Sequence, residues 1–136
     1  MQNYVVGFAF NNEKVLLIEK LKPAWQAGFL NGVGGKCEAD ENIYDAMERE
    51  FHEEVGVLVP RENWRLFCTT TARDGMVFFF TTKLDDDIII KQMEAEEPFW
   101  AFYEYLYQYN LIDNLRWLIP MALAEVRVRA NVTEIK

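Results

Sequence analysis

The sequence predicts one domain of mixed α/β (α+β) class, and three observations carry that reading. Two pairs of β-rich runs each flank a turn signal, one amphipathic helical pattern separates them, and 136 residues is the usual size of a single core. Tyr4 to Phe10 is rich in aromatic and β-branched residues, Asn11-Asn12 signals a turn, and Val15 to Ile18 resumes an apolar run, which predicts a hairpin. Leu21 to Gly35 is punctuated by Pro23, Gly28, Gly32, Gly34 and Gly35, the pattern of an irregular loop that something approaches closely. Glu41 to Val55 contains no Gly or Pro, repeats Ile43, Met47, Phe51 and Val55 every four residues, and stops at Gly56, so it predicts a helix. Trp64 to Arg73 and Met76 to Lys83 flank Asp74-Gly75 and predict a second hairpin, whose exit Asp85 to Asp87 would cap. Ile88 to Ile90 and Phe99 to Tyr103 are candidate short strands, and Asp113 to Ala124 a candidate helix interrupted or kinked at Pro120. Val126, Val128, Ala130 and Val132 alternate with polar residues, the pattern of a last strand, with a frayed tail as the alternative.

Composition narrows the function. With 51% apolar residues, and a length that buries roughly 68% of the unfolded chain's surface, the domain needs no disulfide staples. A formal charge of -8 disfavours nucleic acid and anionic membranes as partners and requires a bridging cation for any phosphate ligand. Cys37, Cys68 and the single His52 make no Cys/His zinc site. Met1 to Tyr4 has no basic segment leading into an apolar run, and no stretch nears the ~20 apolar residues of a membrane span, so a soluble, cytoplasmic protein is expected.

The helix breaks local rules at one end. Glu50, Glu53 and Glu54 stand at i, i+3 and i+4 and share one face, an arc of about 100° beside the stripe of Ile43, Met47 and Phe51. They occupy the last turns before Gly56, where the helix dipole disfavours each negative charge by ~0.3 to 1 kcal/mol. A solvated acidic face is the ordinary explanation, but a divalent cation among the carboxylates would turn the clash into attraction, and hard oxygen ligands suit Mg²⁺ or Mn²⁺. Arg49 adjoins the face and either pairs with one glutamate to fix its rotamer or forms an exposed ion pair. Asp45, Glu48 and His52 fall on the opposite side, where charge is unremarkable.

Gly35-Lys36-Cys37-Glu38-Ala39-Asp40-Glu41, then seven residues to Arg49-Glu50-Phe51-His52-Glu53-Glu54-Val55-Gly56-Val57, resembles the Nudix box, Gly-x5-Glu-x7-Arg-Glu-U-x-Glu-Glu-x-Gly-U, with every fixed position filled. Phe51 stands where the family usually has an aliphatic residue. The resemblance implies a single Nudix hydrolase domain over residues 1–136, with a mixed β-sheet sandwiched between α-helices. It implies Glu50, Glu53 and Glu54 as metal ligands, the Gly35 carbonyl as a further one, Arg49 as the residue orienting a catalytic glutamate, and Glu41 as a structural tie. Glu53 is the first choice of general base, and a glutamate outside the box, among Glu94, Glu96 and Glu97, is the rival. A solvated acidic loop is the other reading of those three.

Trp25 and the run Phe29 to Lys36 resemble the corresponding loop of MutT-type nucleoside triphosphatases. That likeness implies Asn31 as a reader of a purine base, Trp25 as a stacking platform and Asp113-Asn114 as a second reading position, against loop cap and core aromatic as alternatives. Lys36 either meets a phosphate or snorkels at the loop. The expected activity is Mg²⁺-dependent hydrolysis of a nucleoside (deoxy)triphosphate, oxidised purine dNTPs included, to a monophosphate and pyrophosphate. The alternatives are hydrolysis of another nucleoside diphosphate derivative, such as an ADP-sugar or dinucleotide, and a non-catalytic nucleotide-binding sensor. Trp100 to Tyr109 holds six aromatics in ten residues, which suit a core, a base pocket or a homodimer interface equally.

Overall fold

Strand β1 (Tyr4–Phe10) organises the computed structural model, which describes residues 1–124 and 130–133. It runs parallel to β6 (Gly75–Lys83) from Tyr4↔Val77 to Phe10↔Lys83, and antiparallel to β4 (Val33–Lys36) from Tyr4↔Lys36 to Gly7↔Val33. The antiparallel partner of β6 is β5 (Arg65–Ala72), and β8 (Ala130–Thr133) runs parallel to β5. Strand β2 (Lys14–Glu19) pairs antiparallel with β3 (Leu30–Asn31) and β7 (Glu97–Phe102). Among the described residues these make one mixed sheet of eight strands.

Alternation along the strands sends side chains to both faces, and each face is covered by a helix. Phe8, Phe10 and Leu17 pack with Phe67 and Phe79 under α2 (Leu115–Leu123), through Leu115, Leu118 and Ile119. On the other face Val5, Ala9, Leu16 and Ile18 pack under α1 (Ile43–Val55), through Met47, Phe51 and Val55. The three α1 side chains are fully buried, each stabilising the fold by about 1.5–3 kcal/mol. Phe51 meets the Trp64 ring edge-on at 5.1 Å, so the aromatic in place of an aliphatic residue is accommodated by packing alone.

Most predicted elements are present, with shifted edges. Helix α1 begins at Ile43, two residues after Glu41, because the Asn42 side chain accepts the Tyr44 N–H at 2.8 Å and sets the cap there. It ends where Gly56 adopts φ 73° and donates its N–H to the His52 carbonyl. The first hairpin is closed only at its turn, by Phe10↔Val15; beyond it β1 is taken by the glycine-bearing β4, and β2 swings to β7. Ile88 to Ile90 is not a strand. Its backbone is used elsewhere, with Ile88 N–H on the Asp85 carbonyl and Lys91 N–H on the Val55 carbonyl at the end of α1, while Ile90 packs against the α1 core. Helix α2 passes through Pro120, since Leu118, Ile119 and Ala122 anchor it on both sides, and the Arg116 carbonyl deprived of its donor lies on the exposed side. Strand β7 starts at Glu97, and Ala130 to Thr133 forms the last strand, whereas Val126 and Val128 lie outside the described residues. The aromatic run after β7 winds into 3₁₀ turns over Tyr103–Gln108, with Ala101 buried and Tyr107 72% exposed. Among the described residues no helix is long and apolar enough to cross a membrane.

Gly34 lets β4 close on β1: a Cβ there would sit 1.9 Å from the Val5 carbonyl oxygen. Gly34→Ala is expected to cost about 1–3 kcal/mol or more through forced separation of the two strands, read as a lower urea midpoint with unchanged slope.

Candidate active site

The site grows from the join between β4 and α1. Arg49 points back from the middle of the helix and grips the preceding loop with its planar fork. Its Nε and Nη2 each donate to a different oxygen of Glu41 at 2.8 Å, and Nη2 also reaches the Lys36 carbonyl at 3.1 Å. Its Nη1 donates to Glu50 at 2.9 Å and to Glu53 at 3.2 Å. Glu41 in turn accepts the Glu38 N–H at 3.0 Å, so it ties loop to helix as expected. The Arg49 hydrogen bonds hold the Glu41 carboxyl below its ordinary range.

Beyond this clamp the acids crowd together. Burial pushes the Glu54 carboxyl up to about 8; Glu50 adds to the rise, Lys20 opposes it, and Glu94 and Glu96 reinforce it. Burial also raises Glu50, against the pull of Arg49 and with the help of Glu53 and Glu94. Gly35 gives Glu50 its room, since a Cβ on Gly35 would lie 2.6 Å from Glu50 Oε2. Glu94 is brought in by backbone. The Lys91 and Met93 N–H groups donate to the Val55 and Glu54 carbonyls at 3.0 and 3.1 Å, closing the end of α1 and laying the 91–96 segment beside it.

A cleft of about 1310 Å³ joins these acids to the α2 face of the sheet. Its floor includes Val6, Val77 and Phe79, and it reaches Glu50 and Glu54 past Gly34 and Gly35, where β4 has no side chains to block the way. Trp25, Asn31, Lys36 and Asn114 all line it. Trp25 is 64% exposed in the loop after Pro23. The Asn31 amide is fixed, donating to Gln26 Oε1 at 3.2 Å and accepting the Gly32 N–H at 2.8 Å. Asn114 stands at the N-cap of α2, and Asp113 beside it is exposed and does not line the cleft.

The remaining candidates separate. Glu53 is 46% exposed, turns toward Arg49 and does not line the cleft. Glu94 and Glu96 line it, but Glu97 is exposed in β7 opposite Glu19. Asp45 and Glu48 meet Arg61 on the far side of α1, the first by ion pair at 2.7 Å and the second by accepting its N–H. Lys20 and Phe79 are among the lining residues that the sequence did not single out. Phe79 sits in an unbroken apolar run and carried no signal distinguishing it from core; Lys20 is separated by sequence from everything it faces.

Among the described residues no group of three or more His, Cys, Asp or Glu side chains is ready-arranged around a metal position, consistent with Glu53 being turned to Arg49. The donor chemistry nevertheless fits a hard divalent cation. Glu50 and Glu54 are partly buried carboxylates that repel one another at the cleft wall, and a cation there would relieve the cost that raises both.

The chain is thus an α+β domain, a mixed sheet between helices with a carboxylate-rich helix end opening on a cleft. The chain belongs to the NUDIX domain family, whose model matches residues 1–127. The uncharacterized Nudix hydrolase YvcI of Bacillus subtilis is 31% identical over 64 residues, 47% of this chain and 38% of that protein. The 8-oxo-dGTP diphosphatase of Buchnera aphidicola subsp. Schizaphis graminum is 24% identical over 116 residues, 85% of this chain and 81% of that protein. Among solved structures, one of MutT, from a study of the Aliivibrio salmonicida and Vibrio cholerae proteins, superposes with TM-score 0.72 at 21% identity, over 92% of this chain and 98% of that one. The NUDIX domain of Shewanella oneidensis NrtR, complexed with ADP ribose, gives 0.75 at 19%, over 90% and 86%. A bifunctional NMN adenylyltransferase/ADP ribose pyrophosphatase from Francisella tularensis, complexed with AMP and a Mn ion, gives 0.74 at 17%, over 90% and 41%. Those likenesses establish the fold.

Arg49→Lys keeps the charge but loses the fork, and is expected to destabilise the domain by about 1–3 kcal/mol in urea unfolding. Combined with Glu41→Gln, the loss should fall short of the sum of the two single effects, as for residues sharing one hydrogen-bonded pair.

Proposed function

We propose that the protein hydrolyses nucleoside (deoxy)triphosphates, oxidised purine dNTPs included, to a nucleoside monophosphate and pyrophosphate in the cytoplasm, with Mg²⁺ as cofactor and Mn²⁺ as a substitute. The observation that carries this reading is the continuity of one cleft from the partly buried pair Glu50 and Glu54 to the amide side chains Asn31 and Asn114. A triphosphate needs cation-holding carboxylates at one end and hydrogen-bonding amides for a base at the other. The 8-oxo-dGTP diphosphatase likeness, which spans 81% of that protein, supports the same choice of substrate.

In this reading Glu50, Glu53, Glu54 and the Gly35 carbonyl would hold the cation. When bound, it neutralises the polyphosphate and acidifies an attacking water. The chain's own groups do the rest. Arg49 holds Glu50 and Glu53 through the hydrogen bonds already described, and Glu53 would turn from Arg49 into the cleft to take the water's proton, with Glu94 on the cleft wall as the rival base. Asn31 and Asn114 hydrogen-bond the base edge, Trp25 offers a ring to stack on, and Lys36 meets a phosphate oxygen at the mouth.

A nucleotide panel with Mg²⁺, read by product mass, should show pyrophosphate released from at least one nucleoside triphosphate and none in EDTA. Products only from ADP-sugars or dinucleotides would replace the substrate class, and tight nucleotide binding without turnover would favour the sensor. Glu53→Gln should depress kcat by at least ~10²-fold with the fold intact by circular dichroism. A comparable loss in Glu94→Gln, with Glu53→Gln near wild type, would move the base to Glu94.

A further inference from the structure

Of the three glutamates ahead of Phe99, Glu96 has both carboxylate oxygens committed. Oε1 pairs with Lys20 Nζ at 2.9 Å, and Oε2 accepts the Leu21 N–H at 2.8 Å. Both members of the ion pair are largely buried, with side-chain exposures of 19% and 16%. Each Glu96 oxygen already accepts a hydrogen bond from the Lys20–Leu21 segment, which separates Glu96 from Glu94 although both line the cleft.

What Glu96 holds is the root of a loop. Residues 20–29 leave β2 at Lys20, turn through the 3₁₀ segment Ala24–Gln26 and return at Phe29, whose carbonyl accepts the Lys20 N–H at 2.9 Å, while the Gly28 N–H bonds the Lys20 carbonyl at 2.8 Å. That loop carries Trp25, and Gln26 from it fixes the Asn31 amide. On its other side Glu96 belongs to the segment whose Lys91 and Met93 N–H groups are bonded to the end of α1. A chain of contacts thus runs from the Glu54 carbonyl through 93–96 to the Lys20 root, linking the acidic end of the cleft to the wall bearing Trp25 and Asn31.

We propose that Glu96 is a positioning residue, whose pair with Lys20 and hydrogen bond from Leu21 fix the spacing between the Trp25 loop and the acidic end of α1, and so set how tightly the nucleoside part of the substrate is held. This rests on the reading in the preceding subsection for what is bound, but the clamp itself is testable without turnover.

The full chain is compared as wild type, Glu96→Gln, Glu96→Ala and Lys20→Met, alone and combined. Hydrogen exchange should accelerate at residues 20–29 in Glu96→Ala and less in Glu96→Gln, whose amide oxygen still accepts from Leu21, with the α1 core unchanged. With Mg²⁺ and the nucleotide the wild type cleaves best, Glu96→Ala should raise KM at least ~10-fold with kcat within ~3-fold, Glu96→Gln should recover part of that, and Lys20→Met should add little to Glu96→Ala. Unchanged exchange at 20–29 overturns the proposal, as does a kcat loss of ~10²-fold at saturating substrate, which would make Glu96 catalytic. A wild type that cleaves no nucleotide defeats the proposed function, and the exchange result alone then decides the clamp.

Discussion

The architecture depends on one arginine being surrounded by acids that would otherwise repel each other. Arg49 satisfies Glu41 with two parallel hydrogen bonds and spends its remaining donors on Glu50, Glu53 and the Lys36 carbonyl. A lysine, with a compact ammonium, cannot serve these directions at once. The guanidinium therefore does two things with one geometry: it joins the β4 exit to α1, and it offsets carboxylates placed against the helix dipole. The clamp leaves Glu54 outside its reach, and the unbalanced burial pushes that carboxyl up to about 8. Local electrostatics are thus satisfied on one side of the helix end and left in deficit on the side that faces the cleft.

The second dependence is on bare backbone. The apolar cores lie on opposite faces of the sheet, and the acids belong to the α1 side while the cleft floor of Val6 and Phe79 belongs to the α2 side. Between the two lie Gly34 and Gly35 of β4, one pressed on the Val5 carbonyl and the other on the Glu50 carboxylate. The density of glycine in the loop was legible as close approach, and the structure identifies what approaches.

The legible parts share a feature: their information is local. The α1 stripe, its Gly56 stop, the Asp74-Gly75 turn and the glutamate spacing all lie within short windows where period and turn chemistry decide the outcome. The misread parts are decided at a distance. Ile88 to Ile90 has strand composition, but its neighbours' N–H groups are claimed by carbonyls at the end of α1 more than thirty residues earlier. The helix expected over Asp113 to Ala124, interrupted or kinked at Pro120, is present, and the buried contacts of Leu118, Ile119 and Ala122 carry it through the proline. The pairing of β1 with β4 in place of most of β2 is a choice among partners that alternation leaves open.

The acidic segment before β7 shows why composition cannot assign roles. Glu94, Glu96 and Glu97 are chemically equivalent in sequence, yet they meet three different environments. Glu97 faces Glu19 across an exposed strand pair, where it has no part in the cleft. Glu96 meets the ammonium of Lys20 and a backbone N–H, so its charge is consumed in joining two segments 75 positions apart. Glu94 meets the field of Glu50 and Glu54 and contributes to raising both. The difference arises because 91–93 is bonded to the helix end while 97–102 is bonded to β2, leaving the residues between to span the gap. Two backbone registers, set independently, thus decide which of these carboxylates pairs with Lys20, which faces Glu50 and Glu54, and which stays outside the cleft.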